Sequence, residues 1–145
     1  MSTPDDAAIR ISAAYAAAVY DRDVAAFMRL YDPSARVFDT WATWSYEDAA
    51  ARHGSIAGWL GSLGDERVRV TFSDLRSSGS ADLVAVSAVV TYAAWSAAGV
   101  ELRSMQNRLS WVLERSGSEL LIVHEHTSVP IGDQDLKGIL QRPLA

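Results

Sequence analysis

Cysteine is absent from this 145-residue chain, which removes disulfide frameworks, thiolate metal sites and cysteine nucleophiles together. Long apolar runs are missing too: nothing approaches the roughly 20 residues a membrane span needs. The opening MSTPDDAA has neither the basic nor the apolar region of a secretory leader, so the expected location is cytoplasmic. Positive charge is scarce, with 13 Lys and Arg against 18 Asp and Glu and a formal net charge of −5. That is the wrong sign for attraction to phosphate backbones or anionic lipid, so neither nucleic acid nor membrane is an expected partner. There is no Gly-rich phosphate loop, no Ser-His-Asp arrangement in a recognisable context and no basic–aromatic interleaving for bases. No cofactor is expected. What remains, 49% hydrophobic and 21% charged residues, is the composition of one globular domain with a sizeable core.

The chain reads as helices first and strands after. Thr3-Pro4-Asp5-Asp6 has the cap, the N1 proline and the acidic first turn of a helix start. That helix continues to about Val19, with Ile9, Ser12, Tyr15, Ala16 and Val19 on its apolar face. Asp23 caps a short second helix carrying Val24, Phe27, Met28, Leu30 and Tyr31, which Asp32-Pro33-Ser34 stops. A short strand is expected over Arg36 to Trp41. Ser45, with Asp48 three residues on, has capping-box spacing and opens a third helix whose stripe is Ile56, Trp59, Leu60 and Leu63. Gly54 and Gly58 share one face of it and point to a close backbone approach. From Glu66 onward, β-branched and aromatic residues between turn signals give strands near 67–75, 82–96, 100–114 and 119–129. Helices followed by a strand meander define one α+β domain over residues 1–130. Residues 131–145 form an irregular tail or peripheral arm.

Two turns sharpen this reading. Ala97-Ala98-Gly99 and Arg115-Ser116-Gly117 each look like a three-residue hairpin loop with glycine in the left-handed position. Ser96 would then pair with Val100 and Glu114 with Ser118, so residues of equal parity share a face. The odd face of the last two strands carries Met105, Leu109, Trp111, Leu113, Leu121, Val123 and Val129, an apolar set that belongs against the helices. Asn107 and Glu125 are its polar members, expected opposite each other and flanked by Thr127. The even face holds Ser104, Gln106, Arg108, Ser110, His124, His126 and Ser128, with Val112, Leu120 and Ile122 among them. It is expected to face solvent or a second copy of the chain, in a homodimer.

Helices followed by such a sheet, together with Leu30-Tyr31-Asp32-Pro33 and Ile122-Val123-His124-Glu125-His126-Thr127-Ser128-Val129-Pro130, resemble the nuclear-transport-factor-2-like superfamily over residues 5–130. The last strand is most similar to the SnoaL-like branch and to the association domain of calcium/calmodulin-dependent kinase II. The resemblance implies a cone-shaped roll: three N-terminal helices on a curved antiparallel sheet, enclosing an apolar cavity. The superfamily spans isomerases, cyclases, dehydratases, hydrolases and association modules, so fold alone does not select a function. Tyr15 to Thr40 also resembles ketosteroid isomerases without a gap. That similarity would place Tyr15 on the oxyanion-hole tyrosine and Asp39 on the proton-shuttling aspartate. The second oxyanion donor of those enzymes falls near Leu109, a departure that disfavours steroid isomerisation. The arginines of the kinase association domain fall near Thr91, Trp111 and Thr127, so that anionic-ligand site is absent.

The candidate chemistry follows from both sources. Asp39, in Val37-Phe38-Asp39-Thr40-Trp41, is a carboxylate among aromatics, an environment that raises proton affinity and suits a general base; the alternative is a loop cap. Tyr15 is either a hydrogen-bond donor into the cavity or a core aromatic. Glu125 on an apolar face needs a partner, with Asn107 expected, and serves either as a second acid/base group or as a buried structural carboxylate. Phe27, Phe38, Trp41, Trp44, Trp59, Trp111, Thr91, Thr127 and His53 complete the expected substrate site, with Trp41 and Trp44 as a flat lid or as packing plugs. His124 and His126 sit two apart on one strand face, a spacing compatible with metal, but parity puts them outside the cavity and no metal is expected. Two functions stay open. One is acid/base isomerisation, cyclisation or dehydration of an apolar, carbonyl-bearing or polyketide-like molecule; the other is a non-catalytic ligand-binding or association module.

Overall fold

The computed structural model describes residues 3–144. Three helices come first, interleaved with one strand: α1 (Pro4–Asp21), α2 (Val24–Met28), β1 (Tyr31–Phe38) and α3 (Ala49–Gly61). A meander follows, β2 (Arg67–Gly79), β3 (Leu83–Trp95), β4 (Glu101–Ser116) and β5 (Glu119–Ser128). The strands form one sheet in the order β1-β5-β4-β3-β2. It is an α+β roll in which the helices cover one face of a curved, unclosed sheet.

Local chemistry explains the helix boundaries. Thr3 and Asp6 form a reciprocal capping box at the start of α1. α1 buries Ala8, Ile11, Ser12, Tyr15, Ala18 and Val19, and Ile9, about 100° round the helix from Ala8, is exposed rather than on the apolar face. Asp48, not Ser45, caps α3, accepting from the Ala51 amide at 2.8 Å; the Ser45 hydroxyl donates to Glu47 instead. A β-carbon added at Gly54 or Gly58 would meet nothing within 4 Å, so no neighbouring backbone approaches them closely.

The sheet departs from the sequence expectation at its edge. The second helix ends at Met28, and Tyr31 belongs to β1, which runs through Pro33 and pairs in parallel with β5. An edge strand tolerates proline, and the register of β1 is irregular between Tyr31 and Arg36, around that residue. Only β2 to β5 are antiparallel.

Register is set by bulges. Gly117-Ser118 makes a two-residue turn with Ser116 opposite Glu119, with Gly117 at φ 62°, so the expected Glu114–Ser118 pair does not form. Val123 is then an extra residue in β5: Leu113 pairs with Ile122 but Val112 with His124. Leu120 and Ile122 therefore point into the core, in place of Leu121 and Val123, while Glu125 and Thr127 also point inward. Between β3 and β4, Ser96 does bond Val100 across the turn. A shift between Ala94 and Trp95 then pairs Val90 with Asn107 and Tyr92 with Met105. Even residues of β3 consequently share the inner face with odd residues of β4.

The tail is ordered against the sheet. Beyond the end of β5, the Leu140 carbonyl accepts the Gln106 amide at 2.7 Å. Gln141 Nε2 donates to the Ser104 carbonyl, and the Arg142 amide donates to Gln106 Oε1.

Candidate functional site

Between the helices and the inner sheet face lies a cavity of about 630 Å³. Its walls are mostly apolar and aromatic, including Trp59, Leu63, Val68, Tyr92, Ala94 and Met105. Trp41, Arg103 and Leu140 also line it and are partly or fully exposed, which puts them at the rim. α1 brings Tyr15 to the cavity, the segment after β1 brings Asp39, α3 brings Arg52 and Ser55, and the sheet brings Tyr92, Asn107, Glu125 and Thr127.

Polar groups cluster at one end. Glu125, only 1% exposed, accepts two hydrogen bonds on Oε1, from the Tyr31 hydroxyl at 2.5 Å and from Trp111 Nε1 at 2.9 Å. Its other oxygen has no hydrogen-bond partner among the described residues and lies 3.8 Å from Arg52 Nη2. Arg52 also stands 3.5 Å from Asp39 Oδ2 and donates to the Ser55 hydroxyl at 2.6 Å. One buried guanidinium thus bridges two carboxylates, each at ion-pair rather than hydrogen-bond distance, as it packs over the Tyr46 ring. Asp39, with its side chain 15% exposed, is oriented on its other oxygen by the Thr127 hydroxyl at 3.1 Å. That hydroxyl in turn accepts the Thr40 amide.

A second cluster is phenolic. The Tyr15 and Tyr92 hydroxyls are 3.1 Å apart, and Asn107 lines the same chamber. Burial, reinforced by the neighbouring Tyr92 and Glu125, holds the Tyr15 hydroxyl well above the usual phenol range. Burial raises Tyr31 and Tyr92 as well. For Arg52 burial works against the charge, but Glu125, Tyr31 and Asp39 more than offset it, so its proton is held above the ordinary value.

Of the residues singled out in the sequence, Tyr15, Asp39, Trp41, Trp59, Asn107, Glu125 and Thr127 are brought together around this cavity. Phe27 and Trp111 lie behind its wall in the packed core. Four others are elsewhere. Thr91 is on the outer face, where Gln106 Nε2 donates to it. His53 is on the exposed side of α3. Phe38 packs edge-on against His124 and His126 and beneath the Arg36 guanidinium. Trp44 is 95% exposed, so Trp41 alone of the pair borders the cavity. Asn107 does not face Glu125 across the hairpin; Trp111 does, because the turn sits further along the chain, at Gly117-Ser118, and a bulge follows it. Asp39 faces a cation as well as aromatics, unlike the setting expected for it.

Arg52 and Tyr92 were not anticipated. Arg52 precedes Ile56 by four residues and Leu60 by eight, so helical periodicity puts it on the buried stripe. Tyr92 is the neighbour of Thr91, displaced into view by the bulge between β3 and β4.

A family model described as a SnoaL-like domain matches residues 10–132. Among solved structures, an NTF2-like protein from Pseudomonas putida KT2440 superposes with a TM-score of 0.82 at 20% identity, covering 99% of each chain. Aln2 from a Streptomyces species has a TM-score of 0.75 at 14% identity over 88% of this chain and 93% of that one. ActVI-ORFA from Streptomyces coelicolor has 0.73 at 13% over 83% and 92%. No curated protein matches the sequence significantly. At these identities the structural likenesses establish a common fold, one with a cavity fit for a small molecule. The family match runs from within α1 to just past β5, and on that basis the chain belongs to the SnoaL-like domain family, with an NTF2-like architecture.

Proposed function

We propose that this protein carries out acid/base chemistry, an isomerisation, cyclisation or dehydration, on an apolar carbonyl-bearing or polyketide-like molecule held in the cavity. The observation that carries the reading is that Asp39, oriented by Thr127 and Arg52, borders the same apolar chamber as the Tyr15–Tyr92 hydroxyl pair. Asp39 takes a proton from a carbon next to the substrate carbonyl. In a hydroxyl pair one member donates to the other, which leaves the second proton free for another acceptor. That proton is donated to the carbonyl oxygen as negative charge develops there. Asp39 then returns its proton to carbon or to a leaving hydroxyl, and no group outside the chain takes part in the proton balance. Tyr92 is the partner of Tyr15 in that single-donor pair, and Leu109 supplies no donor. Glu125, anchored by Tyr31 and Trp111, positions Arg52, and Asn107 adds a polar group to the chamber wall.

The test uses 2-tetralone, an apolar enolisable ketone, in D2O. Deuterium uptake at its α-carbon, followed by NMR, is expected to be faster with the protein than in buffer. Asp39→Asn is expected to abolish that excess and Tyr15→Phe to reduce it at least tenfold. An excess that survives Asp39→Asn would overturn the assignment. The pairing of Asp39 with Arg52 favours one rival, a non-catalytic binding or association module in which the triad is purely structural. In that case neither variant changes anything but packing.

As for assembly, the outer sheet face is the proposed homodimer surface, with Arg108, bonded to Ser128, among polar groups around the half-buried Val112, Leu121 and Val123. Arg108→Glu is expected to shift the sedimentation profile to monomer. Among the described residues no helix is long and apolar enough to cross a membrane, and a cytoplasmic location is proposed with the function.

A further inference from the structure

From the charges around the cavity we infer that the preferred ligand carries a protonated amine beside its apolar body, so that the site selects organic cations over neutral and anionic molecules of the same shape. The inference rests on reading the cavity as the small-molecule site and adds the class of molecule.

The charged groups lining the chamber are Asp39, Arg52, Glu125 and Arg103. Arg103 is already held by both oxygens of Glu66, at 2.7 and 3.2 Å, and that pair is neutral. Among the described residues, Arg52 alone faces Asp39 and Glu125, at 3.5 and 3.8 Å. Two carboxylates share one guanidinium, and one negative charge is left over at the buried end. Glu125 Oε2 has no hydrogen-bond partner among the described residues. The loose distances are those of a cation drawn between two anions and bonded well to neither.

The walls agree in sign. Tyr15, Tyr46, Trp59 and Tyr92 present aromatic surface to the chamber, and the Arg52 guanidinium already rests over the Tyr46 ring, as an alkylammonium would over its neighbours. An anion would meet the surplus charge and the ring faces together. A neutral ligand would leave the surplus where it is. An ammonium placed toward Asp39 cancels it, and because the Asp39 side chain is only 15% exposed in the free protein, little of its own hydration is lost on binding. The net charge of −5 favours the approach of cations as well.

The experiment compares three probes of one shape: 2-naphthylmethylamine, 2-naphthylmethanol and 2-naphthoate, titrated into the full chain at pH 7 by calorimetry. The amine is expected to bind at least about tenfold tighter than the alcohol, and the carboxylate most weakly. Asp39→Asn leaves Arg52 and Glu125 as a neutral pair, so it should erase the preference for the amine while the alcohol binds as before. Asp82→Asn removes one exposed carboxylate remote from the chamber and should leave the preference intact. Equal affinity for amine and alcohol overturns the inference. In that event deuterium uptake by 2-tetralone stands unaffected. Failure of all three probes to bind would overturn both this inference and the cavity reading beneath it.

Discussion

Replacing Arg52 with methionine is the sharpest test of how the polar end of the cavity is held together. Methionine keeps much of the stem volume and removes the charge. Glu125 is 1% exposed, and Arg52 is its only ion-pair partner among the described residues. The variant therefore leaves a desolvated carboxylate whose Oε1 keeps two donors but whose Oε2 has nothing. Removing one partner of a buried ion pair costs about 3–5 kcal/mol, against a total stability of about 5–15 kcal/mol for a domain. Arg52→Met should lower the urea midpoint accordingly, with an unchanged slope if the denatured state is unaffected. The double variant Arg52→Met, Glu125→Gln should recover most of the loss. The amide oxygen of glutamine still accepts from Tyr31 and Trp111, and no unpaired charge is left at that position. Coupling between neighbours of this kind is measurable by a double-mutant cycle. If the single variant costs less than about 1 kcal/mol, or the double variant is no more stable than the single, then the guanidinium is not neutralising Glu125 and the account of the site is wrong.

Three further outcomes follow from the same geometry. Burial raises Tyr15, Tyr31 and Tyr92 in the folded chain, so above about pH 10 the unfolded chain loses these protons first. Stability is then intact below that pH and falls as pH rises, by roughly 1.4 kcal/mol per unit for each such tyrosine. Thermal melts from pH 8.5 to 11 should show a steep decline, shallower in Tyr15→Phe. Thr127→Val removes the donor to Asp39 Oδ1 and the acceptor for the Thr40 amide; a loss of about 1–3 kcal/mol is expected in urea melts, together with slower deuterium uptake by 2-tetralone. A chain ending at Pro130 loses the four bonds that tie Leu140, Gln141 and Arg142 to β4, about 1 kcal/mol each. It should still unfold cooperatively, in keeping with a domain of residues 1–130, but with faster ligand release, since Leu140 borders the cavity.

Helix starts were legible wherever a cap was written in side chains, as at Thr3 and Asp23. The Ser45–Asp48 spacing misled because either residue can cap, and the choice depends on where the chain leaves β1. β1 itself was blurred by Pro33. Only the edge position, with the neighbouring strand on one side, makes that proline harmless, and edge position is a tertiary property. The apolar stripe of α3 was visible as Ile56, Trp59, Leu60 and Leu63, without Arg52, although its spacing from Ile56 and Leu60 puts it on the same face. Its burial makes sense only once Glu125 and Asp39 are opposite, two residues that α3 does not contain.

The sheet makes the same point more strongly, because alternation is a reliable rule until a strand gains one residue. From Ile122, which is buried, strict alternation would carry His124 and His126 inward and put Glu125 and Thr127 outside. The extra residue Val123 reverses that, so an acid and its neighbouring hydroxyl reach the chamber while the imidazoles stay out, His124 against the Arg36 carbonyl and His126 against Phe38. The shift between Ala94 and Trp95 does the equivalent for β3, turning Tyr92 inward and Thr91 outward. Neither bulge carries a glycine or other local mark. What selects them is that every alternative register buries the wrong set: without the first, Ile122 and Glu125 could not both be inside, and without the second Val90 and Leu109 could not pack on one face. The chemistry of the site therefore depends on two insertions whose only sequence signature is the global agreement of the core.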